Sequence, residues 1–149
     1  MRVLLVALAF TPAWSYVPKP VRATLTHELG GTLYLPARSV SGFRYRSGAA
    51  VRGGVLTVQF RQRVRVRAGV YRWTNKTFTW QVRRYTGDCR AWGNAQKTLQ
   101  MGGNKVYSAT NVAWRCVNGH VLAAIDDSGF LPDVALGRVA ASGLNVAGR

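Results

Sequence analysis

Acidic residues are what this chain most lacks. Five Asp and Glu stand against 21 Lys and Arg, a formal net charge of +16 at pH 7. Glu28 and Asp88 are the only carboxylates ahead of Asp126, Asp127 and Asp133, so the long basic stretch offers no obvious pair for general acid–base work. Histidine is nearly absent as well. His27 is followed by Glu28 but by no second His of a metalloprotease helix, and neither His27 nor His120 stands at ligand spacing from a cysteine. Gly102-Gly103-Asn104-Lys105 lacks the Gly-Lys-Ser/Thr of a phosphate loop. Asp126-Asp127 lacks the spaced oxygens of a calcium loop and reads as a turn. No Gly-x-Ser-x-Gly elbow is present, and the Asn75-Lys76-Thr77 sequon is a three-residue match that arises readily by chance. The expectation is a protein with no catalytic residue, no metal and no cofactor.

Long apolar runs are missing too. The longest at the start, residues 3–10, follows Met1-Arg2 and is too short to span a bilayer. Pro12 ends it, and Ala13-Trp14-Ser15 supplies small residues of the kind a signal peptidase reads. The pattern predicts a secretory signal over residues 1–15, with the mature chain starting near Tyr16; the competing reading is the buried first element of a cytoplasmic domain. No transmembrane segment is expected elsewhere. Only two cysteines occur, Cys89 and Cys116, and an even pair in an exported chain predicts a disulfide. Closing that loop restricts the unfolded chain by about 3.5 kcal/mol in the entropy model.

What is present is strand grammar. Residues 16–30, with Pro18 and Pro20, read as an extended leader, and residues 31–149 as a single domain. Leu33-Tyr34-Leu35-Pro36 is a short strand, and residues 42–46 alternate Phe43 and Tyr45 with Arg44 and Arg46. From Val55 the alternation is long: Leu56, Val58, Phe60, Gln62, Val64 and Val66 share one face. Such a length predicts a bend or bulge near Gln62. Phe78, Trp80 and Val82 mark the next strand, and residues 98–101 and 105–108 form a pair turning through Gly102-Gly103-Asn104. Residues 112–117, Asn118-Gly119 and residues 120–125 describe a hairpin with a type I′ turn. Its register opposes Cys116 to Val121, Trp114 to Ala123 and Val112 to Ile125. That apolar face is expected to point inward and keep the disulfide dry, with Arg115 and His120 outside. Pro132, Asp133 and Gly143 punctuate a helix near residues 132–142 whose buried stripe is Leu136, Val139 and Ala140. The fold expected is α+β, mainly β: one curved antiparallel sheet of hairpins with a C-terminal helix packed on it.

Residues 101–143 resemble the end of small exported bacterial cell-envelope domains of unknown function, similar to lipoprotein carriers and to periplasmic regulators of anti-sigma factors. The likeness is carried by Gly103 to Tyr107, Trp114, Asn118-Gly119, the strand after them and the closing helix. It implies a curved antiparallel sheet with a helix, located in the envelope, and carries over no catalytic residue. The paired cysteines and the arginine load are not part of that pattern.

The remaining signal is basic. Arg61, Arg63, Arg65 and Arg67 recur at every second position, with Arg83 and Arg84 on the following strand and Tyr45, Tyr71 and Trp73 near in sequence. Neighbours along such a stripe lie about 6.7 Å apart and repel by about 0.6 kcal/mol in water. A solvated strand face tolerates that cost without a ligand, so the stripe is either such a face or an anion-binding surface. The partners it would suit are anionic lipid headgroups, acidic cell-wall polymers or acidic proteins. The alternative function is nucleic-acid binding by a chain whose start only mimics a signal, with the aromatics stacking on bases.

Overall fold

The computed structural model describes residues 11–149; the first ten residues of the expected signal lie outside them. Among the described residues nine strands form: β1 (Tyr34–Pro36), β2 (Phe43–Arg52), β3 (Val55–Arg67), β4 (Val70–Arg84), β5 (Lys97–Met101), β6 (Asn104–Ala109), β7 (Val112–Val117), β8 (His120–Asp126) and β9 (Gly143–Asn145). The helices are α1 (Lys19–Glu28) and α2 (Asp133–Ala141), with 3-10 turns at Ala13–Tyr16 and Cys89–Ala91. Seven strands make one antiparallel sheet in the order β2-β3-β4-β8-β7-β6-β5, while β1 and β9 pair separately. The mainly β class and the packed C-terminal helix are as the sequence predicts, although the sheet is not strongly curled. Asn118 (φ 47°) and Gly119 (φ 74°) both adopt the left-handed backbone of a type I′ turn. The β7–β8 register then falls where expected, Cys116 against Val121, Trp114 against Ala123 and Val112 against Ile125.

The inner face carries the main core. Leu56, Val58 and Phe60 of β3 meet Phe78, Trp80 and Val82 of β4, and Leu122 and Ala124 of β8. Leu136, Val139 and Ala140 of α2 cover it, all fully buried. Trp80 donates its indole N–H to the Tyr34 carbonyl (2.9 Å), which ties β1 onto the same core.

The outer face is covered over only part of its width, and topology explains why. β4 ends beside β8, but β5 lies on the far edge, so residues 85–96 must cross β8, β7 and β6 to reach it. They cross over the Val112/Trp114/Cys116 face and bury Trp114, Val121 and Ala123 in a second, smaller core. Trp92 packs on Trp114 with ring centroids 5.4 Å apart, and Trp114 donates to the Cys89 carbonyl (2.7 Å). The Cys89–Cys116 disulfide, with Cα atoms 6.0 Å apart, fastens this crossing segment to β7.

Two expectations about the hairpin are corrected here. The bridge is not dry: Cys116 is exposed and Cys89 half-buried. Arg115 is not an outer residue either, because its face is the one packed against α2. It is half-buried and donates to the Ala140 carbonyl (3.0 Å) and the Gly143 carbonyl at the C-terminal end of α2. There it satisfies carbonyls that the helix cannot, at the negative end of the helix dipole. Burial pushes its guanidinium below the usual arginine range, and Tyr34 offsets part of that. The unbroken apolar run Val121 to Ile125 reflects a central strand covered on both sides.

The expected extended leader is also corrected. Residues 19–28 form α1, with Pro18 at the N-cap and Pro20 inside the first turn, where a missing N–H costs nothing. Its buried face is Arg22 and Leu25. Arg22 reads as polar in sequence, yet it donates to the Val17 and Arg149 carbonyls and lies 5.0 Å from the Trp14 ring. The segment before α1 is docked as well: the Ala13 N–H donates to the Ala37 carbonyl (2.9 Å), and Val17 is fully buried. A cut at Ser15 would remove Ala13 and Trp14 from this packing.

Candidate anion-binding surface

A two-stranded arm grows out of the sheet at the β3–β4 hairpin. Pairing of β2 with β3 ends at Phe43 opposite Gln62, apart from one further bond from the Arg63 N–H to the Gly42 carbonyl (2.7 Å). Pairing of β4 with β8 ends at Phe78 opposite Asp126. Beyond those points β3 and β4 pair only with each other, from Arg63 opposite Trp73 to Arg67 opposite Val70, and turn through Ala68 and Gly69 (φ 71°).

The arm is rooted in the predicted bulge. Arg61 opposes Thr77, but the next pair is Arg63 with Trp73, so Thr74, Asn75 and Lys76 together face Gln62. Side chains fill the gap: Thr74 Oγ1 donates to Gln62 Oε1 (3.1 Å), and Arg61 Nη1 donates to the Thr74 carbonyl (3.1 Å).

Above the bulge, arginines and aromatic rings alternate. Arg63 lies 4.1 Å from the centroid of Tyr71 and 5.9 Å from that of Trp73, which Arg46 of β2 approaches at 5.3 Å. Each such contact is worth about 0.5–1 kcal/mol at an exposed site, a contribution that matters on a two-stranded arm, where pairing alone is marginal. Arg44 stands directly opposite Arg61 and lies over the Tyr16 ring at 4.7 Å. Arg65, Arg67 and Arg72 are exposed. Among the described residues one salt bridge forms, Lys97 with Asp133 (3.3 Å), and it is elsewhere. None of these seven arginines has a carboxylate partner.

The structure divides the sequence-predicted set. Arg61, Arg63, Arg65 and Arg67 are brought together, and Arg44, Arg46 and Arg72 join them. The aromatic–basic alternation of residues 42–46 was the signal for the first two, and the β2–β3 pairing supplies their position. Arg83 does not join. It lies six residues along β4 from Thr77, about 20 Å away, and donates to Gln81 (3.3 Å). Arg84 points to the opposite face and pairs with His120.

Arg84 and His120 instead line a cleft of about 330 Å³ with Glu28, Tyr34 and the turn at Gly53-Gly54. His120 Nδ1 is 2.9 Å from the Asn118 carbonyl, and its ring lies 5.3 Å from that of Tyr34. No hydrogen bond or ion pair joins His120 to Glu28 among the described residues. His27 lines a separate groove of about 680 Å³ together with Lys19, Arg22 and Arg149, and no Asp or Glu is among the lining residues. No described group of three or more His, Cys, Asp or Glu is arranged to hold a metal ion, and no described helix is long and apolar enough to cross a membrane. No protein-family model, curated protein or solved structure matches this chain, so its functional reading rests on these residues and their geometry.

Proposed function

We propose that this protein is an exported, non-catalytic domain of the cell envelope that docks on anionic partners through the β3–β4 arm and the adjoining arginines of β2. The observation that carries this reading is the gathering of seven arginines with no acid to neutralise them. Ring contacts and one hydrogen bond engage Arg44, Arg46, Arg61 and Arg63, but they give no reason for Arg65, Arg67 and Arg72, and the like charges of Arg44 and Arg61 directly opposite each other cost up to about 1 kcal/mol. The partner classes that fit are anionic lipid headgroups, acidic wall polymers and acidic protein surfaces. Export is supported by the disulfide: an exposed bridge persists in an oxidising compartment and is reduced in a cytoplasm. That weighs against the intracellular nucleic-acid reading.

The test is retention of the purified protein on immobilised heparin at pH 7. Binding at low salt that falls steeply as salt rises is the expected result. Failure to bind at low salt, or retention indifferent to salt, removes the proposal. N-terminal sequencing of natively expressed protein checks the compartment: a processed start near Tyr16 is expected, and an intact Met1 with free thiols contradicts export.

A further inference from the structure

The end of the arm exposes apolar side chains among its arginines, which an ionic contact alone does not require. Val66 is 60% exposed, Tyr71 50% and Val70 39%, and all three flank the Ala68-Gly69 turn. A hairpin tip carrying exposed β-branched residues is an aggregation hazard in water unless something covers it. Arg65, Arg67 and Arg72 surround it, all exposed and without a partner among the described residues. Apolar and cationic side chains share the rungs next to the turn, Arg67 opposite Val70 and Arg65 opposite Tyr71, the mixed composition of a segment that lies in a bilayer interface, where long arginine side chains snorkel to the phosphates while their apolar neighbours enter.

We infer that the arm is an interfacial anchor that inserts its valine tip into an anionic lipid surface. This rests on the proposed anion-binding role of the arm and names its partner. The strands run about 13 Å from residue 64 to the turn, so the tip can reach the acyl boundary, about 5–10 Å deep, with the guanidinium ends of Arg65, Arg67 and Arg72 reaching back to the phosphates on their apolar stems. Charge complementarity selects an anionic surface over a zwitterionic one: each Lys or Arg near such a surface strengthens binding about fivefold. A nucleic acid fits less well. Arg63 and Arg46 already occupy the Trp73 ring and Arg63 the Tyr71 ring, where bases would stack, and the valines would stay wet.

The experiment compares the wild type with Val66→Thr/Val70→Thr, which keeps β-branching and charge. Both are sedimented with extruded vesicles of phosphatidylglycerol and phosphatidylcholine, or of phosphatidylcholine alone, and both are run on heparin. Circular dichroism checks that the fold is unchanged. The wild type is expected to bind the anionic vesicles and not the zwitterionic ones. The variant should bind the anionic vesicles about tenfold more weakly and elute from heparin at the wild-type salt concentration. Equal vesicle binding by both proteins, or wild-type binding to heparin but not to anionic vesicles, overturns the anchor and leaves the basic-surface reading standing. Binding to neither overturns both.

Discussion

A methyl group placed on Gly143 would sit 2.7 Å from the Trp80 ring and 2.8 Å from a Leu122 methyl. Glycine there is a packing requirement, because it lets β9 approach the main core beside the end of α2. Gly143→Ala is therefore expected to lower stability by about 1–3 kcal/mol, read as a shifted denaturation midpoint with an unchanged slope. Arg115 is the matching polar case. Arg115→Ala leaves the Ala140 and Gly143 carbonyls without their donor and should cost about 2–3 kcal/mol. Arg65→Ala should move stability by less than about 0.5 kcal/mol. Equal effects of the two substitutions in chemical denaturation would contradict the difference in role. A basic residue in this chain is thus defined by what its guanidinium touches, which composition alone does not reveal.

At the scale of elements, the disulfide fastens one segment and not the whole core. It ties residues 85–96 across β7, while Phe60, Phe78 and Trp80 lie on the other face of the sheet. Because Cys116 is exposed, the bridge should be reduced by dithiothreitol under native conditions, without prior unfolding. Reduction should alter the fluorescence of Trp92 and Trp114 and lower stability by about 3.5 kcal/mol, while the far-ultraviolet dichroism of the sheet persists. Resistance of the bridge until global unfolding would contradict its placement. The β7–β8 hairpin with its register, the β5–β6 pair and the stripe of α2 were legible in the sequence because each follows from local periodicity and turn chemistry. Which face of the β7–β8 hairpin meets the main core was not, since Arg115 and His120 mark the inner face as the wet one and the crossing of residues 85–96 depends on the nonlocal pairing of β4 with β8. α1 was hidden by Pro18, Pro20 and a buried Arg22. The bulge at Gln62 was visible from strand length, whereas the arm above it depends on where β2 and β8 stop pairing.

For the whole molecule, charge has a location. The net +16 would attract anions wherever it sat, but the fold concentrates uncompensated arginines on one projecting arm and disperses Arg52, Arg84 and Arg90 elsewhere. Two variants of equal net charge separate these cases. Arg65→Gln/Arg67→Gln/Arg72→Gln removes three exposed charges from the arm, and Arg52→Gln/Arg84→Gln/Arg90→Gln removes three exposed charges away from it. The deciding measurement is the salt concentration at which each elutes from heparin at pH 7. The arm variant is predicted to elute well below the wild type and the other to stay close to it. Equal shifts for both would show that charge alone governs binding and would contradict the arm as the binding site.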